Sequence, residues 1–120
     1  MPTRKEMASC DGFERIVSMI AGKWKLWILR ILIFSGTKRF NELRRELKGI
    51  TQTMLTSQLR ALEADGLITR EVFAEVPPRV EYSATPKALA LEKFFAEMHK
   101  WAVSNVTEDT KVTTKKKAKG

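Results

Sequence analysis

Apolar residues recur at helical spacing from Asp11 to Ile20, where Phe13, Ile16, Val17 and Ile20 form one stripe and Asp11 can cap the start. Gly22 interrupts the pattern. From Lys23 to Phe34 the chain is apolar nearly all round, which predicts a central buried helix. Trp24 and Trp27 lie three apart on it and are expected to serve packing rather than a ligand box. Ser35-Gly36-Thr37 ends it. Arg39 to Leu47 sets Phe40, Leu43 and Leu47 on an inner stripe and leaves Asn41, Arg44, Arg45 and Lys48 outside. Gly49 stops this helix, Thr51 is a good cap for the next, and Thr51 to Asp65 makes a second amphipathic helix closed by Gly66. Leu55, Leu59 and Leu62 face inward, with Met54 beside them. Two helices joined by a short glycine-containing turn form a helix-turn-helix candidate.

The period then changes to two. Leu67 to Phe73 reads as a strand, Ala74 to Arg79 as a proline-stiffened loop, and Val80 to Ser83 as a returning strand. Pro77-Pro78 cannot donate ladder hydrogen bonds and belongs in the loop. The pair predicts a hairpin wing. Thr85-Pro86 then starts a helix that continues to about Ser104, with Leu91, Phe94, Phe95, Met98 and Trp101 on one stripe. That stripe exceeds what a small core needs, and its surplus reads as a homodimer interface. The expected fold class is mainly α with a small β-hairpin wing, a winged helix-turn-helix. The expected organisation is an N-terminal arm at 1–9, a winged domain with dimerisation helices at 10–104, and a basic disordered tail at 105–120.

Composition narrows the function. The 120 residues are 43% hydrophobic and 30% charged, enough for one core. No apolar run reaches membrane-spanning length, and the polar N-terminus lacks an export signal core, so the chain is expected in the cytoplasm without membrane contact. Cys10 is the single cysteine and His99 the single histidine. No metal site, cofactor or catalytic group is expected, and an enzyme is the least favoured class.

Of the net charge of +8, the uneven placement matters most. Residues 23–60 hold nine Lys and Arg against Glu42 and Glu46, whereas 61–104 hold five against seven acids. Such a basic segment suits a polyanion. Thr51, Gln52, Thr53, Thr56, Ser57 and Arg60 lie at the cap and outer positions of the second amphipathic helix, and no acid occurs from Thr51 to Leu62. Short polar side chains with arginine are the residue types that hydrogen-bond base edges in a major groove. Lys38 and Arg39, at the start of the preceding helix, suit phosphate anchoring. Arg44 and Arg45 either join them or pair with Glu42 and Glu46. Arg79, beside the wing prolines, either enters a minor groove or pairs with Glu75 or Glu81. The lysine-rich tail either brushes phosphates or aids solubility.

Several motifs occur together in order. These are Gly22-Lys23-Trp24, Arg39-Phe40-Asn41-Glu42-Leu43-Arg44, Gly49-Ile50-Thr51, Met54-Leu55, Gln58 to Leu67, and Val76 to Tyr82. Over about residues 10–104 the chain resembles the HxlR family of bacterial transcriptional regulators, relatives of the MarR type. The resemblance implies a winged helix-turn-helix homodimer that binds double-stranded DNA at a pseudo-palindromic operator. Where the family usually has Leu-Thr with a glycine three residues later, this chain has Ala84-Thr85-Pro86-Lys87-Ala88. Some members sense oxidants or electrophiles through an N-terminal cysteine, and Cys10 occupies the matching place. A thiol before a helix start feels its positive end, which favours thiolate, although Asp11 opposes this. With no second cysteine, Cys10 can join only its twin or a small thiol; otherwise it is a packing residue. The sequence therefore favours a DNA-binding regulator. A winged-helix protein-interaction module and a sequence-independent nucleic-acid binder are the alternatives, and any small-molecule effector is left unassigned.

Overall fold

The computed structural model describes residues 2–8 and 11–106. The elements run α1 (Arg4–Ala8), α2 (Asp11–Ile20), α3 (Lys23–Phe34), β1 (Lys38–Arg39), α4 (Phe40–Glu46), α5 (Gln52–Ala64), β2 (Ile68–Phe73), β3 (Arg79–Ala84), α6 (Pro86–Leu89) and α7 (Glu92–Asn105). The chain divides into two units, Met1–Leu89 and Ala90–Gly120. Cys10 lies outside the described residues, as does the tail from Thr107 onward. The observed class is the expected one: mainly helical, with a small antiparallel sheet.

In the first unit α3 supplies the centre. Ile28, Leu29, Ile31 and Leu32 are buried, and so are Leu43 and Leu47, Leu55, Leu59 and Leu62, Leu67 and Ile68, and Tyr82. The residues from α3 to Leu62 follow from the apolar patterning of their helices, whereas the adjacent Leu67 and Ile68 are both buried where strand alternation alone would put only one of them inside. The all-round burial expected for α3 is corrected. Trp27 and Phe34 are 45% and 48% exposed, seven residues apart on one face. Cations cover part of that face, with Lys23 Nζ 4.5 Å from the Trp24 ring and Arg30 5.9 Å from the Trp27 ring. Met54, expected beside the inner leucines, is likewise exposed.

The wing is larger than a hairpin. Three strands lie in the order β1-β3-β2, all antiparallel. Lys38 pairs with Tyr82 and Arg39 with Glu81, while β2 and β3 pair from Ile68–Ala84 to Phe73–Arg79. Thr37 Oγ1 and Ser83 Oγ add a side-chain bond of 2.7 Å at the same edge. Lys38 and Arg39 thus form a strand before α4, and Arg79 opens β3 instead of ending the loop. The N-terminal arm contains α1, whose start is a capping box. Glu6 N–H donates to Thr3 Oγ1 and Thr3 N–H donates to Glu6 Oε1.

The continuous helix expected from Pro86 to Ser104 is broken at Ala90–Leu91. Tertiary anchors fix α6. Thr85 Oγ1 donates to the Gly66 carbonyl at 2.7 Å, Lys87 Nζ donates to the Asp65 carbonyl at 2.9 Å, and Ala88 is buried. The second unit is α7, 14 residues long and without a buried residue. Leu91 stands in its N-cap position, off the helix that was expected to carry it.

Candidate nucleic-acid interface

α5 is built to present its outer face. Thr51 Oγ1 accepts from Met54 N–H at 3.1 Å and satisfies one of the helix's free amides. The turn from α4 closes through Gly49, whose φ of 93° a side chain would resist. At the other end Gly66, at φ 76°, makes a six-to-one closure in which Leu67 N–H donates to the Leu62 carbonyl. Leu55, Leu59 and Leu62 lock the inner face in the core. Gln52, Thr53, Ser57 and Arg60 are left exposed, and Thr56 is half-buried on the flank. Among these expected readout residues Thr51 alone is spoken for, as the cap.

The cations around α5 are less free than their spacing implied. Lys38 Nζ lies 3.1 Å from Glu46 Oε2, so Glu46 pairs across to β1. Arg39 is exposed at the end of β1, and its N–H donates to Glu42 Oε1 at 2.8 Å. That backbone bond, assisted by the charges of Lys38, Arg39 and Arg45 and opposed by desolvation, holds the Glu42 carboxyl below its ordinary value. Arg79 takes the pairing alternative with both acids. Its Nη2 is 3.1 Å from Glu75 Oε2, its Nε 3.4 Å from Glu81 Oε2, and its guanidinium 4.1 Å from the Phe73 ring centre. The Nε atom is buried and its approach to Glu81 lacks hydrogen-bond geometry.

Between the start of α4 and the wing tip runs a groove of about 610 Å³, with Arg39, Asn41, Arg45 and Arg79 along it beside Glu42 and Glu75. The sequence had placed Asn41 and Arg45 only on an outer helix face, because the approach of the wing to α4 is set by β1, which leaves no periodic trace. Among the described residues, no group of three or more His, Cys, Asp or Glu is placed to hold a metal ion, and no helix is long and apolar enough to cross a membrane.

A capped, acid-poor helix after a tight turn, followed by a three-stranded wing, defines the class of winged helix-turn-helix DNA-binding regulators. The chain belongs to the HxlR-like helix-turn-helix family, whose model matches residues 19–110. The regulator YybR of Bacillus subtilis strain 168 is 51% identical over 92 residues, which are 77% of this chain and 73% of that one. The reduced form of the redox regulator HypR has a TM-score of 0.74 and 47% identity, covering 79% of this chain and 93% of its own. A MarR-family regulator from Enterococcus faecalis V583 has a TM-score of 0.71 and 45% identity, covering 87% and 90%. These relatives are all regulators.

Proposed function

We propose that this chain is a sequence-specific transcriptional regulator that binds a pseudo-palindromic operator as a homodimer. The observation that carries the reading is α5 itself. It has no acid from its cap to Leu62, yet it exposes Gln52, Thr53, Ser57 and Arg60 on a rigidly capped helix. Gln52 suits adenine, Arg60 suits guanine, and the threonines offer a hydroxyl and a methyl. Thr51 sets the start of the reading helix, and Thr56 lies on its flank. Arg39 and Lys38 contact phosphates beside it, Lys38 by leaving Glu46, and Arg79 serves the wing. Dimerisation runs through Phe94, Met98 and Trp101, three exposed residues of α7, with Leu91 and Phe95 half-buried next to them.

A salt-titrated binding assay with the chain's own upstream DNA and a scrambled duplex tests this. A specific regulator prefers the operator by about 10³-fold or more. Equal affinities would make it a sequence-independent binder, and no binding to either would favour the protein-interaction module.

A redox branch is favoured by one further observation: HypR has been solved in reduced and oxidised forms, and both resemble this chain, the oxidised form with a TM-score of 0.71. Cys10 immediately precedes Asp11, the first residue of α2. On this reading diamide links Cys10 to its twin or to a small thiol and changes operator affinity, while Cys10→Ser binds DNA normally and ignores the oxidant. A thiol that titrates near ~8.5, with DNA binding indifferent to diamide, makes Cys10 a packing residue.

A further inference from the structure

The wing is poor in positive charge for a DNA contact. Residues 68–84 hold Arg70 and Arg79 against Glu71, Glu75 and Glu81. Arg79 is also the more enclosed cation, its side chain 27% exposed among Glu75, Glu81 and Phe73. Its three partners differ in how firmly they are placed. Phe73 sits directly opposite Arg79 in the ladder, and Glu81 is fixed on the central strand, paired to β1 on one side and β2 on the other. Glu75 belongs to the loop, with the most exposed carboxylate of the set and the shorter contact to the guanidinium. A carboxylate and a phosphate each offer an arginine anionic oxygens for charge-assisted, often bidentate, hydrogen bonds. Glu75 therefore occupies the nitrogen of Arg79 that a phosphodiester in the adjoining groove would take.

Resting on the DNA-binding reading, we infer that Glu75 is an internal competitor for DNA: its carboxylate stands in for a phosphate on Arg79 and is displaced when the wing engages the duplex. Phe73 and Glu81 keep the guanidinium at the wing through that exchange. The exchange lowers affinity by the free energy of the Glu75–Arg79 contact, without removing the arginine from the interface.

The test is a double-mutant cycle on the full chain, read by fluorescence anisotropy on the operator at fixed salt. Glu75→Gln should tighten binding about two- to fivefold, the range of a partly exposed ion pair. Glu71→Gln removes the same charge from the same wing while leaving Arg79 paired, and should tighten binding less. In an Arg79→Ala background Glu75→Gln should add no more than Glu71→Gln does. An equal effect of the two glutamine variants, an effect of Glu75→Gln that survives Arg79→Ala, or weaker binding by Glu75→Gln would each overturn the inference. A wild type that binds no DNA would instead remove the functional reading beneath it.

Discussion

Lys38 on β1 and Glu46 at the last residue of α4 form an ion pair of 3.1 Å that closes the helix back onto the strand before it. A lysine expected to anchor phosphate thus has a resident partner. Its side chain is only 23% exposed. Lys38→Ala should weaken operator and scrambled DNA alike and flatten the salt slope by about one, if the lysine leaves Glu46 for a phosphate. Its effect on folding should stay under ~1 kcal/mol, as for other surface pairs. An unchanged slope, read from anisotropy at four salt concentrations, would leave Lys38 as a purely structural partner of Glu46.

Base readout predicts a different signature. Arg60→Ala and Gln52→Ala should each cost ~1–3 kcal/mol on the operator and far less on scrambled DNA. Both side chains are exposed on α5 and neither supports the core, so melting temperature should hardly move. Parallel losses on the two duplexes would assign these residues to phosphate.

The ends of α5 are where stability is vulnerable. Thr51→Ala deletes the cap bond to Met54 N–H and should cost ~1 kcal/mol in urea unfolding. Gly66→Ala forces a side chain into φ 76° and should cost ~1–2 kcal/mol from the backbone alone, since the added methyl would meet Lys87 only at ordinary contact distance. Arg60→Ala is the control, since Arg60 is exposed in the middle of α5 and lies outside both end structures. A Gly66→Ala variant as stable as wild type would mean that the closure opens at little cost.

Acid should loosen the start of α4. The Glu42 carboxyl is held below its ordinary value, chiefly by the Arg39 N–H. A depressed folded value means the stabilisation is present above ~4.3, the ordinary glutamate value, and is lost as pH falls through the lowered folded value. The stability difference between wild type and Glu42→Gln should therefore shrink on acidification. A difference that is flat from neutral pH into the acid range, in parallel denaturant titrations, would contradict it.

Assembly is testable through α7. Trp101 is 62% exposed, and burying such a side chain is worth several times thermal energy. Trp101→Asp or Met98→Asp should yield monomers in ultracentrifugation and weaken operator binding through lost avidity. Dimers persisting in both variants, or a monomeric wild type, would move the interface elsewhere.

The elements most open to sequence reading were those defined by neighbours in the chain. α2 and α3 begin and end where periodicity and Gly22 put them, and α5 starts after the Thr51 cap. Thr3 and Glu6 carry an equally local signal for α1, a threonine followed three residues later by glutamate. Other features rest on distant partners. β1 is two residues long and exists only because Tyr82 and Glu81 come alongside. The break at Ala90–Leu91 has no glycine or proline to mark it; α6 is held by bonds to Asp65 and Gly66, some 20 residues back. Among the candidate site residues, the outer face of α5 followed from helical geometry. The pairing of Lys38 with Glu46 required knowing that the two residues before α4 form a strand rather than its first turn.

The three-stranded sheet has a consequence for the DNA as well as for the fold. β3 is hydrogen-bonded to β1 on one side and β2 on the other, and β2 leaves α5 through the closed turn at Gly66 and Leu67. The reading helix and the wing are thereby held as the two jaws of a caliper. A duplex advances 3.4 Å and about 35° with every base pair. On the proposed DNA-binding reading, an operator half-site gripped by both jaws would have to match a length written into the protein, and one inserted base pair would swing the wing's contact around the helix axis and out of reach.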